Sequence, residues 1–285
     1  MNSRQDDDGA ATGGNKARRS EGGGGAGAAA GSTVHFVGAG PGDLELITVR
    51  GMRLLEQADV IVYAGSLINP GLLEFNPGAE LVDSAPLCLD DIVKLMINRV
   101  AAGRKVVRLH SGDPAFYGAI KEQIARLRAA GVGISVIPGV SSLNAAAAAL
   151  ASELTVPGVT QTVIITRAAG RTPVPRREDL EALAAHGATM AIFLSTGLAA
   201  QVQEKLLRYY PPQTPVAVVH RASWPDERII RTDVAGLAAG IAAAGIDRTA
   251  IILVGEALAQ AGGESLLYDS GFFHGYRSGP PVEEG

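Results

Sequence analysis

The stretch Val34–Asp43, reading V-H-F-V-G-A-G-P-G-D, is an apolar run that ends in a glycine-rich turn and opens into a helical pattern from Leu44. Strand, tight turn and helix in that order begin many nucleotide-binding α/β units, so this stretch narrows the fold before composition is considered. The dinucleotide fingerprint G-x-G-x-x-G nevertheless fits poorly. Gly38 and Gly40 take its first two positions, but the third glycine falls early, at 42. The position it should fill carries Asp43, a carboxylate set where pyrophosphate charge would sit. Pro41 removes one more backbone donor. The next strand ends in Tyr63 rather than in an acidic residue for a ribose hydroxyl. A strand-to-helix turn with Asp43 as the helix N-cap is the plainer reading.

From Val34 onward, short apolar runs alternate with stretches of helical spacing. Val34–Val37, Asp59–Tyr63, Lys105–Leu109 and Ile134–Ile137 read as buried strands. Leu44–Gln57, Asp90–Ala102 and Ala115–Ala130 lie between them with apolar residues at helical intervals, as at Ile92, Met96 and Val100. After Pro138-Gly139 and Ser141-Ser142 comes an alanine-rich helix, Leu143–Ala151. A second set of strands follows at Thr162–Thr166, Met190–Leu194, Val216–His220 and Ala250–Val254, with helices at Glu178–Ala185, Gly197–Tyr209 and Val234–Ala244. The pattern predicts an α/β fold: two α/β domains with mostly parallel sheets and helices on both faces, and an active-site cleft between them. The domains are expected at residues 33–140 and 141–262, joined near 138–142, with a C-terminal extension at 263–285. Residues 1–32 are Gly, Ala, Asp and Arg without periodicity, including Gly22–Gly25, and are expected to be a disordered tail.

Several functions are excluded by what the chain lacks. A net charge of −4 argues against broad electrostatic binding to nucleic acid. No apolar run is long enough to span a membrane, and no signal peptide pattern is present. Cys88 is the only cysteine, so no intrachain disulfide forms, and a cytoplasmic location is expected. There is no G-x-x-x-x-G-K-[ST] for phosphoryl transfer, no G-x-S-x-G elbow for acyl transfer, and no metal-ligand spacing among the histidines. No metal is expected.

Small-residue loops at strand ends remain. His110-Ser111-Gly112-Asp113-Pro114 and Pro138-Gly139-Val140-Ser141-Ser142 each follow a predicted strand, as the opening turn does. Singly, each reads best as a capping turn; three at one sheet edge favour a cleft for a small polar ligand. The loop Thr166–Glu178 holds Arg167, Arg171, Arg176 and Arg177 in a segment broken by Gly170, Pro173 and Pro175. Arg176 and Arg177 read as solvated. Arg167 and Arg171, nearer the strand end, suit bidentate carboxylate binding.

Gly38-Ala39-Gly40-Pro41-Gly42-Asp43, Ser111-Gly112-Asp113-Pro114 and Pro138-Gly139-Val140-Ser141-Ser142, in that order, resemble the tetrapyrrole methylase family. Its members transfer methyl from S-adenosylmethionine to a corrin or porphyrin precursor. Tyr63-Ala64-Gly65-Ser66-Leu67-Ile68, the arginine loop and Leu267-Tyr268-Asp269 with Phe273-His274-Gly275-Tyr276-Arg277 resemble the branch acting at C11 of precorrin-4 or cobalt-precorrin-4. The resemblance implies a homodimer with the donor folded in the cleft. It places Pro41, Ser111, Gly112, Asp113, Phe116, Ser141 and Ser142 against the donor, with Leu194 and Ala222 as further contacts. On the substrate side stand Tyr63, Ser66, Arg167 and Arg171, the two arginines expected to grip acetate and propionate groups. No general base is assigned: His110 is nearest in sequence but reads as an ordinary loop histidine. The competing readings are a methylase of this fold acting at another ring position or on a modified protein histidine, a dinucleotide oxidoreductase, and a non-catalytic binding module.

Overall fold

The computed structural model describes residues 32–259, 265, 269–273 and 275–277. The tail expected over 1–32 lies, but for Ser32, outside the described residues, as does most of the extension expected over 263–285.

The first sheet contains β1 (Thr33–Gly38), β2 (Val60–Tyr63), β3 (Glu80–Asp83), β4 (Val106–His110) and β5 (Gly133–Ile137). They run parallel in the order β3-β2-β4-β1-β5. Side chains on a strand alternate between faces, and that alternation divides the core in two. Val34, Phe36, Val60, Val62 and Val106 face α2 (Leu89–Ala101) and α3 (Lys121–Ala129), where Ile92, Met96 and Leu127 are buried. Val37, Ile61, Val107, Leu109 and Ile137 face α1 (Val49–Glu56) and a 3-10 helix at Pro70–Phe75. The chain reverses its direction of travel across the sheet between β1 and β4. A crevice at such a switch point, beyond the strand C-termini, is the usual ligand position in a parallel sheet.

The second sheet contains β6 (Val163–Arg167), β7 (Thr189–Phe193), β8 (Pro215–His220), β9 (Arg228–Asp233) and β10 (Ala250–Val254), in the order β6-β7-β10-β8-β9. Only β6 and β7 pair parallel; the other three pairings are antiparallel. The expectation of mostly parallel strands thus holds for the first sheet and is corrected for the second. The short β8–β9 connection, residues 221–227, is too brief for a parallel crossover and makes β9 antiparallel to β8; β10, reached from β9 through the helix Leu237–Ala243, keeps the direction of β9 and so pairs antiparallel with both β8 and β7. One face of this sheet packs on α5 (Leu180–Ala184), α6 (Ala199–Leu206) and α7 (Leu237–Ala243) through Leu180, Val202, Leu206 and Leu237. The other face takes α4 (Ser142–Ala149), whose Leu143, Ala145 and Ala146 lie against Ala191, Ala217 and Ile251. Small side chains on both partners let this helix sit close to the sheet.

The helical stretch expected from Ala115 starts only at Lys121. Tyr117 and Ala119 have φ of 57° and 48°, and a left-handed residue stops a right-handed helix from beginning there.

Candidate functional site

The site begins where three glycine turns meet at the C-terminal ends of β1, β4 and β5. Ala39 N–H donates to the His110 carbonyl at 2.7 Å, and Gly40 and Gly112 exchange backbone hydrogen bonds of 3.2 and 2.8 Å. The Asp113 carboxylate fastens the third turn, accepting from Gly139 N–H at 2.9 Å and from Ala115 N–H at 2.7 Å. Ser141 caps α4 by accepting from Leu143 N–H. A Cβ on Gly38 would come within 2.6 Å of the Gly139 backbone, so bare glycine is what allows these turns to touch.

The opening turn is tied to the second sheet instead of being left open as a phosphate cradle. Trp224 Nε1–H donates to the Pro41 carbonyl at 2.8 Å, and Asp43 N–H donates to Ser223 Oγ at 3.0 Å. Asp43 also caps the 3-10 turn Leu44–Leu46, accepting from Glu45 N–H at 2.9 Å. This is the capping role its position suggested.

Between the two sheets these loops border a cavity of about 670 Å³, within the usual range of small-molecule pockets. Pro41, Ser111, Gly112, Asp113, Phe116, Ser141, Ser142, Leu194 and Ala222 all line it, although they come from five separate stretches of chain. Phe116 and Tyr117 reach across to Phe193 at the end of β7, with ring centroids 6.5 and 5.3 Å apart. Arg221 lies over the Trp224 ring at 4.0 Å. Among the described residues, most of the non-glycine residues with positive φ border this space: Tyr117, Ala119, Leu194, Arg221 and Thr249. Backbone strain of this kind costs about 1–3 kcal/mol per residue and persists where surrounding structure enforces it, typically at functional sites.

Tyr63, Ser66, Arg167 and Arg171 are not among the cavity's lining residues, although Ala64 and Leu67 of the same loop are. Arg167 donates to the carbonyls of Ala168, Thr172 and Pro173, and so braces its own loop; Arg171 is exposed. Arg108, Tyr117, Arg221 and Trp224, which belong to none of the sequence motifs, also line it. A buried arginine inside the apolar run Lys105–Leu109 was the available signal for the first.

Arg108 is 6% exposed and His110 8%. Burial lowers Arg108 from its ordinary value to about 10, leaving it cationic at neutral pH. Burial, with the neighbouring Arg108 charge, lowers His110 to about 3, so its imidazole is neutral. His110 stacks on Phe36 and its Nε2 has no hydrogen-bond partner among the described residues. The folded chain therefore does not take up this proton between pH 6.5 and 3, whereas the unfolded chain does. Stability is expected to fall as pH drops below 6.5, His110 alone contributing a slope of about 1.4 kcal/mol per pH unit. His35 and His220, lowered chiefly by burial, act in the same direction. Thermal melts from pH 7.5 to 5 check this: His110→Gln should flatten the curve, and an unchanged slope would contradict the assignment.

A family model described as Tetrapyrrole (Corrin/Porphyrin) Methylases matches residues 33–238. A cobalt-precorrin-4 C(11)-methyltransferase of Methanocaldococcus jannaschii is 52% identical over 247 residues, covering 86% of this chain and 95% of the relative. A precorrin-4 C(11)-methyltransferase of Pseudomonas aeruginosa is 48% identical over 248 residues, covering 87% and 99%. Among solved structures, a cobalt precorrin-4 methyltransferase, described as a cobalamin biosynthetic enzyme, superposes with a TM-score of 0.79 at 48% identity, covering 80% of this chain and 97% of that one. A uroporphyrin-III C-methyl transferase from Thermus thermophilus, complexed with S-adenyl homocysteine, superposes with a TM-score of 0.68 at 30% identity, covering 79% and 93%.

Proposed function

The chain belongs to the tetrapyrrole (corrin/porphyrin) methylases, and from that premise we propose that it methylates C11 of precorrin-4 or cobalt-precorrin-4 in cobalamin biosynthesis, with S-adenosylmethionine as donor. The observation that carries this reading is the convergence of the expected donor-contact residues on one cavity walled by both sheets.

The donor supplies a methyl group already activated on a sulfonium, and the electron-rich ring supplies the nucleophilic carbon. The protein's work is then to hold the two partners close, in line and away from water, which can lower a barrier by up to roughly 7–11 kcal/mol. The residues present fit that task. The glycine turns let a ligand lie against backbone at Gly112, while Ser111, Asp113 and Ser142 offer polar groups to an amino acid or ribose. Phe116, Tyr117, Phe193 and Leu194 give an apolar wall for a flat macrocycle; Leu194 is 71% exposed as it stands. Tyr63, Ser66, Arg167 and Arg171 form the outer rim in this reading. Arg167 lies near enough for its charge to act on the Tyr117 phenol of the cavity wall, although burial dominates there and raises that phenol. The family resemblance supports a cytoplasmic homodimer that needs no metal, and sedimentation of the purified chain checks the dimer.

Trp224 is the only tryptophan, and it lines the cavity, so its emission reports on this site alone. Titration with S-adenosylhomocysteine should change that emission saturably. At a hundredfold excess over Kd it should add about 2.7 kcal/mol of stability, seen as a raised Tm. A response to NADH with none to S-adenosylhomocysteine would support the oxidoreductase reading instead.

A further inference from the structure

Arg108 is the one Lys, Arg, Asp or Glu among the buried described residues, and it sits in the central strand β4 with its side chain at the cavity. Its inner nitrogens are engaged. Nη1 donates to the Val62 carbonyl at 3.3 Å and to Ser84 Oγ at 2.9 Å, and Nε donates to Gln123 Oε1 at 3.3 Å. All three acceptors are neutral. Nη2 donates to no described residue, yet it is not among the buried nitrogens sealed from solvent. Among the described residues no carboxylate lies within ion-pair distance of this guanidinium; the Asp83 charge acts on it only from farther away. His110, two residues along and on the same face of β4, is neutral and adds no counter-charge.

A buried cation with no directly bonded anion is costly, and a charge-assisted, fork-shaped contact with a carboxylate offsets that cost. The ligands in question carry such groups: the donor has an amino-acid carboxylate, and the ring has acetate and propionate side chains. We infer that Nη2 of Arg108 is a carboxylate subsite at the floor of the cavity, and that Arg108 is a positioning residue which fixes one ligand relative to the other. This rests on the methyl-transfer reading above. It assigns the anchoring role to a rigid strand position rather than to the loop that carries Arg167 and Arg171.

The test is calorimetry on the full chain with three probes: S-adenosylhomocysteine, its decarboxylated analogue, and cobalt-precorrin-4. Arg108→Gln removes the charge, and Arg108→Lys keeps it without the fork. Ser84→Ala removes an inner partner while leaving Nη2 in place. If the donor carboxylate occupies the subsite, Arg108→Gln weakens S-adenosylhomocysteine by about ten- to a hundredfold and spares the decarboxylated analogue. If a ring carboxylate occupies it, cobalt-precorrin-4 weakens by the same factor and both nucleosides are spared. In either case Arg108→Lys recovers part of the loss, and Ser84→Ala leaves affinity within about twofold. The inference is overturned if no probe is affected, or if all three weaken alike without recovery in Arg108→Lys, since Arg108 would then serve the sheet alone. Failure of the unsubstituted chain to bind any probe would instead count against the methyl-transfer reading.

Discussion

Gly139→Ala is expected to abolish donor binding and to destabilise the chain by at least about 3 kcal/mol, a drop in Tm of roughly 6–12 °C. The new Cβ would stand 2.2 Å from the Gly112 carbonyl oxygen and 2.8 Å from Gly38 Cα. Both obstacles are backbone, each at the end of a central strand, so no rotamer change relieves the overlap. The turns after β1, β4 and β5 would have to part, and Asp113 would lose the Gly139 N–H that now fastens it. Gly103→Ala is the matched control. Its φ is +76° but nothing lies within 4 Å of the added methyl, so only left-handed strain applies, about 1 kcal/mol, with donor affinity unchanged. Thermal melts and S-adenosylhomocysteine calorimetry on both variants separate the cases. Equal effects would show that the crossing of the three turns does not shape the site.

Gly42→Ala acts on the clasp between the sheets. An added Cβ would fall 2.1 Å from Trp224 Cδ1 and 2.2 Å from Nε1, so the indole must leave its seat. It would then lose its hydrogen bond to the Pro41 carbonyl and its stacking under Arg221. Overpacking of this size costs about 1–3 kcal/mol. The larger effect is on binding, because Pro41, Arg221 and Trp224 all line the cavity. Donor affinity should fall at least about tenfold, with a shift in Trp224 emission before any ligand is added. Trp224→Phe, which removes the N–H but keeps a ring, should lose about 1 kcal/mol. Unaltered emission and affinity in Gly42→Ala would mean that the clasp does not support the site.

The central strands were legible because burial on both faces leaves apolar runs, as at Val60–Val62 and Ile251–Val254. The two strands without a legible hydrophobic run, β3 and β9, each lie at one edge of their sheet. β3 reads E-L-V-D and β9 reads R-I-I-R-T-D, partly exposed and flanked by charge, which is how edge strands resist unwanted pairing. That same property hides them from a search for hydrophobic runs. With β9 unseen, nothing indicated that the second sheet turns antiparallel. The donor-side loops were legible because close turns demand Gly, Ser and Asp at fixed offsets. Arg108 and Trp224 were not, because each acquires its role through long-range topology. Strand order buries the first in the sheet centre, and a bond across 183 positions of sequence brings the second to Pro41.

The methyl position is the most direct test. The purified chain is incubated with S-adenosylmethionine labelled at the methyl carbon, with precorrin-4 and cobalt-precorrin-4 in parallel, and the product is read by NMR. One labelled methyl at C11 of at least one substrate is the expected result. Label at another ring carbon, or no transfer to either substrate while S-adenosylhomocysteine still binds, would contradict it.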